Sequence, residues 1–302
     1  MEKFTKWRDA GTGLAPFFQS SFEIESPKWI FLIFGLFLYI IRHLFIFFLF
    51  ISYFIFVHTL LSPILQSIFP RVLHFFKKMF IGTAFFLCGI PPSSIQANYT
   101  KKKKAIPSAQ NIIISSYCSP LDILCLAFNY NPIFTISYSN TSLVQHVSGI
   151  KALFYTFSIP ERSPPHRNCM TLESLSKLYP NRIICVFPEG TTSNGTGLLL
   201  FTQSLESVAP QAKIFPLSIK YNNYLTSPLP RSFFKFLFRL TFKLTHNFQI
   251  KISETPIIAD HPEKLREIAS YALSELSKVP RLGLGVDEKI SFLKAQGISS
   301  KT

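Results

Sequence analysis

The chain has 302 residues, 48% of them hydrophobic, with 33 Phe and only 16% charged residues. Lys and Arg outnumber Asp and Glu by 31 to 16, a formal net charge of +15 at pH 7, and mean hydropathy is positive at +0.27. That leaves room for one sizeable α/β domain with an accessory element. The basic excess carries no zinc-finger or RNP-like spacing, which argues against nucleic acid and toward anionic lipid or phosphorylated substrates. Five cysteines, odd in number and without CxxC pairing, fit a reducing compartment with free thiols better than a disulfide scaffold.

In chain order, residues 1–28 form a basic N-terminal segment with Lys3, Lys6, Arg8 and Lys28, followed by a membrane-anchoring region over 29–95. Residues 30–57 are nearly unbroken apolar sequence, interrupted by Arg42-His43. As one helix they would reach roughly 42 Å, beyond the ~30 Å hydrocarbon core. Arg42 would then lie near mid-membrane, at a cost of at least ~2.5 kcal/mol. Two short helices bending at Arg42-His43, a re-entrant hairpin, are favoured over a clean span, and both remain open. A second apolar run, 79–90, is too short to span and stops at Pro91-Pro92. The heavier basic cluster beyond the block (Arg71, Lys77, Lys78, Lys101 to Lys104) places the main domain in the cytosol.

From residue 105 to 280 the pattern alternates as α/β layers do. Strands are expected over 112–115, 133–138, 182–187, 214–220 and 248–253, and helices over 121–128, 147–155, 171–178, 198–208 and 263–277. Residues 281–302 read as a C-terminal tail. Between two strands, Arg231, Lys235, Arg239 and Lys243 recur every four residues beside Phe234, Phe238 and Phe242. That is a basic amphipathic helix, suited either to a headgroup layer or to packing on the sheet.

Four strings along this region carry chemistry. Tyr117-Cys118-Ser119-Pro120-Leu121-Asp122 places a carboxylate after a strand, and Ile159-Pro160-Glu161-Arg162 offers a cation for phosphate. Phe187-Pro188-Glu189-Gly190-Thr191-Thr192-Ser193 delivers a Glu at a strand end, followed by Gly, hydroxyls and an expected helix start, all suited to an anion. Phe215-Pro216-Leu217 is an apolar-Pro-apolar strand.

Taken in order, these strings resemble the four signature blocks of the glycerolipid (1-acyl-glycerol-3-phosphate) acyltransferase family over roughly residues 111–221. The opening residues 1–9, with Gly11-Thr12-Gly13 and Ala15-Pro16-Phe17, are similar to the N-terminus of fungal oleoyl-CoA-preferring lysophosphatidate acyltransferases. The resemblance implies a central mixed sheet flanked by helices, behind the N-terminal membrane hairpin or span. It also implies transfer of a fatty acyl chain, oleoyl for this subgroup, from acyl-CoA to lysophosphatidate, giving phosphatidate at the endoplasmic reticulum membrane and lipid droplets. Acyl-CoA would be a co-substrate, with no cofactor and no metal. The catalytic candidates are Asp122, Tyr117 and Cys118; Arg162, Glu189, Gly190, Thr191, Thr192, Ser193 and Pro216 would bind substrate. Two positions depart from the family pattern: Tyr117 stands for the block-one His, and Thr192 for the block-three Arg. His146 and His166 lack the block-one spacing, and His166, downstream of Arg162, is the better substitute. The competing expectation is a non-catalytic membrane or lipid-droplet scaffold that keeps the fold and binds lipid or protein partners.

Overall fold

The computed structural model describes residues 2–22, 28–61, 70–95, 106–164, 169–230 and 233–298. Lys101 to Lys104, His166 and Arg231 lie outside the described residues.

The Ile-rich run expected to be a buried strand forms β1 (Ile112–Ser115), buried at every position. β-Branched side chains pack well on both faces of a central strand. The other strands are β2 (Ile133–Ser137), β3 (Val144–Val147), β4 (Cys169–Met170), β5 (Ile184–Val186), β6 (Lys213–Tyr221), β7 (Phe248–Ile252) and β8 (Ile257–Ile258). They form one mixed sheet in the order β4-β3-β2-β5-β1-β6-β7, with β8 on β6. β2, β5, β1 and β6 pair in parallel; β3, β7 and β8 pair antiparallel to their neighbours. The carboxyl ends of the four parallel strands therefore open on one edge, where ligands of such sheets bind.

Helices cover both faces. α1 (Lys28–Ser52) and α2 (Pro70–Leu87) precede the sheet. α3 (Pro120–Asn129), α4 (Gly149–Tyr155) and α5 (Leu172–Leu178) alternate with its first strands. α6 (Phe233–Phe242), α7 (Pro262–Ser277) and α8 (Val286–Ala295) complete it. α2, α3, α4 and α6 enclose one core with residues such as Phe85, Leu126, Phe215 and Phe236. α5, α7 and the 198–208 segment enclose the other with Leu175, Val186, Leu205 and Leu273.

Four expectations are corrected. Residues 198–208 form no α-helix: Leu198 and Leu200 pair with the chain at 280–284 instead, and only Gln203–Ser207 makes a 3-10 turn. Residues 144–147, partly assigned to a helix, are strand β3. The 281–302 tail contains α8. Finally, α1 does not bend at Arg42-His43 but runs on into π-helical turns at Tyr53–Leu61. Its Arg42 guanidinium is buried against the end of α6, donating to the carbonyls of Thr241 (3.0 Å), Lys243 (2.5 Å) and Leu244 (2.8 Å). A helix C-terminus offers unpaired carbonyls and the negative end of its dipole, so the charge is satisfied without a bend. The close approach continues at Gly89 (φ 78°), where a Cβ would stand 2.2 Å from the Leu244 carbonyl oxygen.

Residues Trp29–Val57 have a mean hydropathy of 2.3 and are long and apolar enough to cross a membrane. α2 packs along α1 and begins nine residues before the apolar run read at 79.

Candidate active site

The site is built where β1 and β5 end side by side. β1 leads into Ser119, an extended N-cap whose hydroxyl accepts from Leu121 N–H, with Pro120 in the first turn of α3. This start places Asp122 at the third helical position of a capping box. Asp122 Oδ2 accepts from the backbone N–H groups of Cys118 (2.8 Å) and Ser119 (2.9 Å). Its Oδ1 accepts from the Tyr221 hydroxyl (2.9 Å) at the end of β6.

Glu189 follows β5 by the same logic. Its Oε1 accepts from Tyr117 N–H (3.0 Å) and its Oε2 from Leu199 N–H (3.0 Å). Three successive backbone N–H groups, at 117, 118 and 119, are thus held by two carboxylates from neighbouring strand ends. Both carboxylates are buried, Asp122 at 1% exposure and Glu189 at 0%. Desolvation pushes Asp122 up to about 7 and Glu189 up to about 8, against the opposing pull of the N–H donors. Gly190 bears a φ of 65°, and a Cβ there would meet the Thr202 side chain at 2.9 Å and the Ser137 carbonyl oxygen at 3.1 Å. The turn after Glu189 therefore needs Gly.

Two of the three expected catalytic candidates take other roles. Tyr117 is buried and stacks on Phe187 with centroids 4.5 Å apart, and its hydroxyl donates to the Ala152 carbonyl oxygen (3.2 Å). Burial raises its phenol well above the usual value, so it is a packing residue rather than a base. Cys118 is buried 3.5 Å from the Ser193 hydroxyl. Burial, with Glu189 and Asp122 nearby, raises its thiol well above the ordinary range, which disfavours a thiolate nucleophile. Asp122 alone of the three keeps a proton affinity suited to neutral pH.

Among the expected binding residues, the structure joins Glu189, Gly190, Thr191, Thr192 and Ser193 in one buried turn. The helix N-terminus expected after it is absent, because 198–201 pairs with 280–284. Pro216 lies within β6, paired with Ile114 on one side. Its carbonyl accepts from Ser253 N–H on the other side, between the stretches paired with β8 and β7. Its missing N–H thus costs no ladder bond, and its role is in the sheet. Arg162 is exposed at the rim, with Nε 2.7 Å from Asp287 Oδ1 at the start of α8. His146 stands on β3 against the Tyr179 ring.

Sequence reasoning missed three contributors. Tyr221 bonds Asp122 and lines an open cleft of about 530 Å³ with Lys220, Asn222, Asn247, Phe248 and Gln249. Lys289 of α8 reaches Thr192. The N-terminal segment wraps over the Glu189 loop: Asn194 Nδ2 donates to the carbonyls of Ala15 and Phe18 (both 2.9 Å). Asp9 accepts from Gly283 N–H (2.7 Å) and from the N–H and hydroxyl of Thr12. Phe17, fully buried, packs with Trp7, Leu282 and Phe292. The Asp9–Phe17 string, without a structural role in the sequence reading, is a strap.

Comparison with known proteins decides the family. A lysophosphatidic acid:oleoyl-CoA acyltransferase, provisionally so named, of Schizosaccharomyces pombe is 31% identical over 311 residues, covering 98% of each chain. The chain belongs to this acyltransferase family. Lysophosphatidic acid:oleoyl-CoA acyltransferase 1 of Saccharomyces cerevisiae is 27% identical, over 97% of this chain and 96% of its own. The general acyltransferase family model, described as Acyltransferase, matches residues 96–220 and so takes in both carboxylates of the site. The crystal structure of PlsC, the 1-acyl-sn-glycerophosphate (LPA) acyltransferase of Thermotoga maritima, shares the fold. It gives a TM-score of 0.52 at 19% identity, covering 83% of this chain and 97% of that one. The expected mixed sheet flanked by helices is thus the acyltransferase fold.

Proposed function

We propose that this acyltransferase moves an acyl chain, oleoyl in the first instance, from acyl-CoA to lysophosphatidate, giving phosphatidate. The observation that carries the reading is the pair of buried carboxylates gripping three successive N–H groups at the carboxyl edge of the sheet. The acceptor hydroxyl oxygen attacks the thioester carbonyl carbon, the C–S bond breaks, and CoA leaves as a thiol. Asp122, with its carboxyl raised to about 7, takes the hydroxyl proton and returns it to the leaving thiolate. Tyr221 connects Asp122 to the cleft whose Lys220, Asn222 and Asn247 suit a phosphorylated ligand. Glu189 fixes the Tyr117 backbone and the turn through Thr191-Thr192-Ser193 that shapes the acceptor pocket. Arg162 contributes phosphate attraction from the rim.

The protein works at a lipid surface, the endoplasmic reticulum membrane and lipid droplets, with its catalytic domain facing the cytosol. Supporting this are the apolar α1, the exposed Phe234 beside the basic residues of α6, and the excess of Lys and Arg. No cofactor or metal enters the reaction. The scaffold reading draws on one observation, that Tyr117 is locked in packing where the family carries its base.

Detergent-purified protein given oleoyl-CoA and lysophosphatidate should release CoA thiol and form phosphatidate. Folded protein inactive with every lysophospholipid acceptor would leave the scaffold reading in place.

A further inference from the structure

Among the described residues, the mechanism leaves the buried cation of α8 unassigned. Lys289 on α8 is 1% exposed, and lysine is almost never buried so deeply without a partner. Its Nζ donates to the Thr192 carbonyl oxygen and to Thr192 Oγ1 (2.8 Å). That hydroxyl in turn donates to the Ser227 carbonyl oxygen (2.8 Å). One ammonium therefore fixes the turn after Glu189 and, through Thr192, the 226–229 loop. Gly285 and Glu288 cap the start of α8, and the Asp9 carboxylate holds Gly283 just before it, so the helix delivering Lys289 is itself anchored.

The titratable groups around this ammonium come from three elements: Glu189 after β5, the Cys118 thiol after β1, and Asp122 on α3, which acts on Glu189. Glu189 and Lys289 each favour the other's charged form, whereas Asp122 opposes ionisation of Glu189. Burial pulls the ammonium down to about 7. Lys289 and Glu189 make no direct ion pair; the cation acts on the carboxylate through the field of a dry interior.

We propose that Lys289 is a positioning residue of the acyl-transfer site. From the C-terminal helix it locks the Thr192 turn directly after Glu189, whose carboxyl accepts from Tyr117 and Leu199, and through Thr192 it fixes the 226–229 loop. The proposal deepens the functional reading above and rests on it for its kinetic arm.

The test uses the full chain in detergent with Lys289→Met, Lys289→Arg, Glu189→Gln and the Lys289→Met/Glu189→Gln double variant. Turnover and melting are followed from pH 5 to 9. Misplacing the turn should lower kcat/KM by about 100-fold in Lys289→Met. Its acid limb should also move to higher pH, because Glu189 loses the cation that favours its ionised form. Lys289→Arg should keep the limb in place. Thermal melting needs no turnover: at pH 9, above the value of about 8 for Glu189, the double variant should recover melting temperature lost by Lys289→Met, since it no longer buries a lone carboxylate. Wild-type kcat/KM and pH limb in Lys289→Met would overturn the proposal. A double variant no more stable at pH 9 than Lys289→Met would overturn it as well. If wild-type protein transfers no acyl chain, the functional reading fails, and the melting comparison still decides the role of Lys289.

Discussion

The carboxyl edge of the sheet and the seam between α1 and α6 bury charge in opposite senses. At the edge, Asp122 and Glu189 are buried carboxylates held by backbone N–H groups. At the seam, Arg42 is a buried guanidinium held by the carbonyls at the end of α6. Neither Asp122, Glu189 nor Arg42 makes a direct ion pair among the described residues. The difference lies in what each arrangement leaves over. Arg42 is spent on joining two helices. Asp122 keeps a hydroxyl partner, Tyr221, that lines a cleft, and a proton affinity near neutrality. A charge that closes a seam is structural; a buried carboxyl with a proton affinity near neutrality is available for chemistry.

The sharpest way to break this comparison is to neutralise the charges on each side. Asp122→Asn preserves shape but removes the proton acceptor, and should lower kcat by about 10²–10⁴-fold, read as CoA thiol release from oleoyl-CoA. Glu189→Gln should lower kcat/KM by a comparable factor through the misplaced turn. Wild-type turnover in both variants would put the chemistry elsewhere. Arg42→Met should instead leave the turnover of folded molecules near wild type. It should cost about 2–3 kcal/mol of stability, because buried carbonyls at the α6 terminus lose a charged donor. Denaturant unfolding measures this. An activity loss larger than the stability loss would mean the seam is part of the catalytic machinery.

The pH dependence of stability sharpens the same contrast at smaller amplitude. Asp122 and Glu189 bind protons more tightly folded, at about 7 and about 8, than as free carboxyls at 3.8 and 4.5. The unfolded chain therefore releases those protons first as pH rises. Stability should decline from about pH 4 and level off above about pH 8. Lys289 works in the other direction: lowered to about 7 from 10.5, it makes stability rise with pH between those values. Midpoints of urea unfolding at pH 5, 6, 7 and 8 should fall in wild type. The fall should flatten in Asp122→Asn and in Glu189→Gln. Arg42→Met should lower every midpoint and keep the slope.

Much of the sheet was legible because its strands are short apolar runs between turn residues. Ile112 to Ile114 and Ile184 to Val186 could be little else. Asp122 and the Glu189 turn were legible as motif strings, whereas Tyr221, from the far end of β6, came to Asp122 only through the strand order. Residues 198–201 misled because a leucine run carries no period that separates helix from extended chain. Their backbone partners lie 82 to 84 residues away, at Pro280, Leu282 and Leu284. The local pattern did hold a signal for Lys289. Val286, Lys289, Phe292 and Leu293 share the buried stripe of α8, so a lysine occupies an apolar position of an amphipathic helix. Calling 281–302 a tail hid it.

The smallest effect belongs to Arg162, and it tests whether charge at the rim counts at all. Its ion pair with Asp287 is short, but the two side chains are 54% and 50% exposed. Such pairs contribute about 0–1 kcal/mol, so Arg162→Ala should move the unfolding midpoint hardly at all. If Arg162 attracts the acceptor phosphate, as proposed, the same change should raise KM for lysophosphatidate several-fold while leaving kcat intact. The loss should shrink as salt rises, since exposed charges are screened. Asp287→Ala separates the two roles: it removes the partner and frees the guanidinium, so KM should fall or hold. A KM that rises in both variants would make the pair a clasp between the 160–164 loop and α8, and would take Arg162 out of phosphate binding.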